Sequence, residues 1–190
     1  MTALSRTGRG LLAFALVFAL LASPGVLPAA AEQVNSPLEA APLANDLRIS
    51  QVYGGGGNSG ATYTHDFIEL FNSGTGTINL SGYSVQYVSA AGTGTWAVTN
   101  LSGSIGPGQY FLIQQAQGAG GTTPLPTPDV IGTLAMGGSA GKVALLNTTT
   151  ALTGSGCPFI ASIVDFVGYG TTANCFEGSG PTPALSNTTA

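Results

Sequence analysis

The sequence predicts an all-β sandwich of antiparallel strands, and three observations carry that reading. Short segments of alternating or continuous apolar residues recur from Leu47 to Val167 at a spacing typical of small sheets. Between them lie Gly, Ser, Thr and Asn clusters such as Gly54–Gly60 and Ser73–Thr77, which are turn chemistry. No helical apolar period occurs after the first 31 residues.

Taken in order, Leu47–Tyr53 is the first strand, with Leu47, Ile49, Gln51 and Tyr53 expected on one face and Arg48, Ser50 and Val52 on the other. Asp66–Asn72 is an inner strand, since Phe67 and Phe71 alternate with Ile68 and Leu70 and both faces are apolar. Glu69 is its exception: a carboxylate between Phe67 and Phe71 must reach solvent or accept hydrogen bonds, because burying it unpaired is costly. Ile78–Leu80 is short, and Ser81 and Gly82 turn the chain into Tyr83–Val88. Thr95–Val98, Tyr110–Gln114, Val130–Leu134, Lys142–Leu146 and Ile160–Val167 complete the set.

The first 31 residues stand apart. Arg6 and Arg9 precede a nearly unbroken apolar run, Leu11–Leu21, and Pro28 to Ala31 supply small residues before Glu32. That is the three-region pattern of a secretory signal peptide cut after Ala31. A retained membrane anchor is the rival, weakened by Pro24 and Gly25, because a span wants about 18 uninterrupted apolar residues. Residues 32–45, with Pro37 and Pro42, read as a linker, the folded part as residues 46–180, and residues 181–190 as a second linker.

Removing the signal leaves Arg48 and Lys142 as the cations against eight acids. Such a chain repels phosphate backbones and anionic membranes, so nucleic acid binding by this domain alone is not expected, nor a stable membrane span after cleavage. Cys157 and Cys175 are an even pair in an exported chain and are expected to form a disulfide; with His65 as the single histidine they cannot complete a tetrahedral metal set.

At this point the pattern resembles a secreted bacterial lamin tail domain. The residues that carry the resemblance are Ile49, Val52 and Tyr53; Asp66–Asn72; Leu80, Ser81, Gly82 and Tyr83; Gly106, Pro107 and Gly108 leading into Tyr110–Ile113; Gly141–Leu146; and Asp165–Gly170. It covers about residues 46–180 and implies an immunoglobulin-like sandwich. The bacterial versions often accompany nucleases of the endonuclease/exonuclease/phosphatase type, so an accessory domain of such an enzyme is one implied role. A free-standing binding or spacing module is the other. Gln51 stands where the family pattern often shows Glu, which weakens a carboxylate pair with Glu69.

No catalytic set is legible. Gly55, Gly57 and Gly60 have dinucleotide-fingerprint spacing, yet a strand follows where a helix is required. Gly141 and Lys142 fail as a phosphate loop, because Val143 replaces the hydroxyl residue. Gly137, Ser139 and Gly141 spell a nucleophile elbow, but His65 precedes the serine, leaving only an unusual His65, Asp129, Ser139 order. Weak calcium candidates are Asp66 and Glu69. No cofactor is implied.

Among Tyr53, Tyr63, Tyr83, Tyr87, Trp96, Tyr110 and Tyr169, the ligand-contact candidates are Trp96, set among Gly and Thr in what reads as an edge strand, and Tyr63. Core packing is the competing account of every one of these rings. The expected partner is a protein or glycan at the cell surface. N-terminal sequencing of the chain recovered from the culture medium should begin at Glu32; a chain starting at Met1 in the membrane fraction would establish the anchor instead.

Overall fold

The computed structural model describes residues 46–154, 156–158 and 160–190. The signal peptide (1–31) and linker (32–45) read from the sequence lie outside the described residues. Ten strands and no helix are present among the described residues: β1 (Leu47–Tyr53), β2 (His65–Asn72), β3 (Ile78–Asn79), β4 (Ser84–Ser89), β5 (Ala97–Asn100), β6 (Ser104–Ile105), β7 (Tyr110–Gln117), β8 (Val130–Ile131), β9 (Gly141–Leu146) and β10 (Ile163–Tyr169). One sheet has the order β1-β2-β7-β8, a second the order β10-β9-β4-β5, and β3 with β6 forms a two-stranded ribbon. All pairs are antiparallel except β7 with β8.

The main core lies between the two sheets. Val52, Ile68, Leu70, Phe111 and Ile113 from the first meet Val85, Val143, Leu145 and Tyr169 from the second. Every residue of β9 is buried, as befits a strand covered on both faces. Its second cover is a smaller cluster, in which Ala144, Leu146, Ile163 and Phe166 pack against Trp96, Leu152 and Cys175 from loops folded over the outside of that sheet.

Three fastenings hold those loops down. Cys157 and Cys175 are joined in a disulfide. Gln86 donates from Nε2 to Thr150 O and accepts at Oε1 from Leu152 N. Lys142, fully buried, donates from Nζ to Gly92 O at 3.0 Å, Gly156 O at 2.8 Å and Asn174 Oδ1 at 2.6 Å. Three N–H bonds thus meet three oxygens from three separate loops, with the Trp96 ring 5.8 Å from the ammonium. Burial alone lowers the pKa of this lysine.

Two bulges shape the seam where β1 and β10 approach. In β1 the register passes from Ile49 opposite Leu70 to Gln51 opposite Glu69, which leaves Ser50 unpaired. This corrects the simple alternation expected for Leu47–Tyr53: beyond the bulge the faces invert, Val52 enters the core, and Gln51 is exposed. In β10 the register slips between Ile163 and Asp165, and the Asp165 carboxylate accepts Ile49 N across the seam at 2.6 Å.

The segment 181–190, read as a linker, is docked. Thr182 N donates to Gly168 O and Gly170 N to Thr182 O, while Asn187 O accepts from Thr62 N and from the Tyr53 hydroxyl. The glycine turn it meets is close-packed: Gly57 has φ +67°, and a Cβ there would lie 2.1 Å from Gly118 Cα. Positive φ and close backbone approach, rather than phosphate chemistry, account for this glycine.

Reducing the disulfide, which closes a loop with a sequence separation of 18, should cost about 3 kcal/mol of unfolding free energy in the chain-entropy account. Paired urea melts with and without reductant read the loss. Equal midpoints would show that Lys142 and Gln86 hold the loops unaided.

Candidate recognition surface

The two sheets differ in what covers their outer faces, and that difference isolates a surface. Loops bury the outside of the β10-β9-β4-β5 sheet. The outer face of the β1-β2-β7-β8 sheet is only partly covered. Side chains directly opposite each other on neighbouring strands share a face, so the registers give its rows. Arg48, Phe71 and Tyr110 form one row, Gln51, Glu69 and Leu112 the next, and Tyr53, Phe67, Gln114 and Ile131 the third. Tyr63 packs edge-on against Tyr53 and Phe67 and buries that end of the third row. The other two rows stay accessible, with Tyr110 61% exposed, and Ile131 at the far end of the third is 70% exposed.

Phe71 and Tyr110 form an aromatic pair, centroids 4.8 Å apart and ring planes tilted by 36°. Beside them Ser50, the bulged residue, donates its hydroxyl to Glu69 Oε1 at 2.7 Å. The bulge therefore supplies the bond that Glu69 required. Arg48 closes the aromatic row and donates to Ser73 Oγ at 2.8 Å. The result is an accessible platform of rings and aliphatic groups with amide, hydroxyl and carboxylate groups at its centre.

The residues singled out from sequence fall elsewhere or apart. Trp96, expected as an exposed anchor, is 1% exposed and packs against Phe166 beneath the stapled loops, so its ring is not offered to a ligand. The sequence placed it at a sheet edge, and it does precede the edge strand β5, but the 147–162 loop closes over it through Trp96 N to Leu152 O. Tyr63 is half-buried at the margin of the platform.

Asp66 and Glu69 lie on opposite faces of β2 and cannot share a cation. Asp66 accepts Gly56 N at Oδ1 and Met136 N at Oδ2, both at 2.9 Å, so N–H donors occupy the oxygens a cation would need. Burial still pushes its pKa up to about 6 against those two bonds. Among the described residues no group of three or more His, Cys, Asp and Glu could hold a metal ion.

His65 and Asp129 of the unusual order are not brought together: His65 lies opposite Gln117 at one end of β7 and its Nδ1 is bonded to Thr64 Oγ1, whereas Asp129 Oδ2 accepts Leu112 N near the other end of β7. Gly141 and Lys142 open a buried strand whose ammonium is saturated by carbonyl oxygens.

A family model for the Lamin Tail Domain matches residues 40–170, more than half of the chain. The chain belongs to the lamin tail domain family. No curated protein matches it significantly. The lamin tail family has a non-catalytic, immunoglobulin-like domain, and the two packed antiparallel sheets described above have that sandwich form. No helix among the described residues is long and apolar enough to cross a membrane.

Sequence reasoning missed Phe71, Tyr110, Leu112 and Ile131 as surface groups, because strand aromatics are most often core. One signal could have found them. Glu69 shares its face with Phe67 and Phe71, and a carboxylate set among rings must reach solvent or find a donor, which marks this face as one that can stay open to water.

The lamin tail sandwich also holds a carboxyl pair at its seam. Asp165, already bound to Ile49 N, is hydrogen-bonded to Glu177, with Arg48 as the nearby cation. Burial first, then the Asp165 charge, pushes the Glu177 pKa up to about 7, and burial raises Asp165 as well. The folded state therefore holds the Glu177 proton more tightly than the unfolded chain does. Its stabilisation is full below the ordinary glutamate range and is lost as pH rises through about 7. The urea midpoint of the wild-type chain should fall between pH 6 and pH 7, a window above the Asp66 titration at about 6. Glu177→Gln should flatten that interval; an unchanged slope would remove the pair from the account.

Proposed function

We propose that this lamin tail chain is an exported, non-catalytic binding or spacing module, and that its contact surface is the outer face of the β1-β2-β7-β8 sheet. The partner is a protein or glycan at the cell surface. The observation that carries the reading is the asymmetry of cover: one outer sheet face is sealed by stapled loops, whereas the other leaves Phe71, Tyr110, Leu112 and Ile131 accessible around Glu69. Clustered apolar groups on an open face, rimmed by polar ones, mark interaction sites in monomeric proteins.

Support for export comes from the signal-like first 31 residues and from the disulfide, which persists in oxidising compartments. Support for a non-catalytic role comes from the family and from the separation of His65 and Asp129 along β7. The same surface would serve whether the module acts alone or beside a nuclease domain. With two cations, Arg48 and Lys142, against eight acids once the signal is removed, its own affinity for nucleic acid is expected to be negligible at physiological salt.

The test uses the labelled, exported chain and the cells that secrete it. Tyr110→Ala with Ile131→Ser removes two exposed groups without touching the core, and should lower cell retention about tenfold, the loss typical of truncating an aromatic anchor. Retention equal to that of the wild type would show that another surface makes the contact.

A further inference from the structure

The chemistry of the open sheet face narrows its occupant, on the reading that this face is the contact surface. Its centre is a carboxylate: Glu69 lies between Gln51 and Leu112, with Ser50 Oγ on Oε1. An apolar protein surface laid across it would take that carboxylate out of water without enough donors. An anionic polymer would meet Glu69 and an exported chain with two cations against eight acids. Within the three rows Arg48 is the one cation and Glu69 the one acid, so the face itself carries no net charge to hold a cationic polymer.

What remains complementary is a ligand that is uncharged, rich in donors, and apolar on one flat side. A pyranose ring has that character, with C–H groups on its faces and hydroxyls around its rim. The exposed Tyr110 ring offers an apolar body with a polar handle, Phe71 supports it from the side, and Gln51, Ser50 and Gln114 are uncharged hydrogen-bonding groups in the adjoining rows. Along β7 the distance from Tyr110 to Gln114 is about 14 Å at the usual strand rise, which gives room for more than one sugar unit.

We propose that the outer face of the β1-β2-β7-β8 sheet binds a neutral polysaccharide, with a sugar ring stacked on Tyr110 and a sugar hydroxyl donating to Glu69. Phe71 completes the platform. Specificity for uncharged chains follows from Glu69, which repels uronates and phosphates and accepts hydroxyls.

Affinity electrophoresis of the intact exported chain tests this, with hydroxyethylcellulose, xylan or mannan in the gel as neutral probes and polygalacturonate as the charged one. At least one neutral probe should retard the chain and polygalacturonate should not. Tyr110→Ala should reduce retardation at least tenfold, Tyr110→Trp should preserve it, and Glu69→Gln should weaken it while admitting polygalacturonate. Thermal melts of each variant confirm folding. Absence of retardation by every neutral probe, or retardation indifferent to Tyr110→Ala, overturns the proposal. If Tyr110→Ala still abolishes cell retention when no neutral probe binds, the surface reading stands and the glycan does not. If retention survives Tyr110→Ala together with Ile131→Ser, the surface reading itself fails.

Discussion

A buried ammonium ion decides which face of this sandwich is free. Lys142 sits on the fully buried β9, with its charge out of water, and it is tolerable there because Gly92 O, Gly156 O and Asn174 Oδ1 take its three N–H bonds. Those oxygens come from three loops, so satisfying the lysine also brings the loops together over the outer side of the β10-β9-β4-β5 sheet. The disulfide ties two of the same loops one residue away, at Cys157 beside Gly156 and Cys175 beside Asn174. The inner core explains why there are two sheets. The lysine and its neighbouring staple explain why only one of them keeps an open outer face.

Buried polar groups recur where the rest of the sandwich closes. At one seam Asp165 accepts Ile49 N from the other sheet and is bonded to Glu177 from the chain beyond β10. Near the opposite edge Gln115 Oε1 accepts from Thr99 Oγ1 of β5 and Leu134 N, joining the ends of both sheet orders. The first bonds the edge strand β1 and the second reaches from β7 to the edge strand β5, where unpaired backbone groups would otherwise invite a foreign strand. Partnering the edges from within the chain favours recognition through a sheet face over recognition by strand addition.

The architecture was legible from the sequence because it depends on local chemistry. A strand core such as Val143–Leu146 is a run that cannot remain in water, and turns such as Ser73–Thr77 cannot continue a strand. The bulges were not legible. One extra residue at Ser50 reverses the facing of all that follows in β1, and nothing in Leu47–Tyr53 marks it, since Ser is at home in either geometry. The docking of residues 181–190 was hidden for a related reason: a Pro, Ser and Thr segment has linker composition, and its attachment rests on backbone groups, on Asn187 and on one apolar side chain, Leu185, packed against the core.

The open face was half legible, and the missing half was energetic. An aromatic ring in a strand carries no label for inside or outside, and burial is its cheaper state, so Tyr110 read as core although it is exposed, while Trp96, weighed as an exposed anchor against core packing, is buried. Glu69 carried the information that the rings lacked. A carboxylate flanked on its own face by Phe67 and Phe71 has two ways to avoid an unpaired burial: an internal partner or a wet face. This structure uses both, a hydroxyl from the bulged Ser50 and a platform left open to solvent. Keeping Phe71 and Tyr110 at that surface forgoes the favourable burial their apolar area would gain, on the order of 25 cal/mol per Å². A carboxylate placed among them favours an occupant that donates hydrogen bonds over one that is merely greasy. Chain register, and not composition, brings the two requirements into one place: Glu69 opposite Gln51 and Leu112, one row from Phe71 and Tyr110.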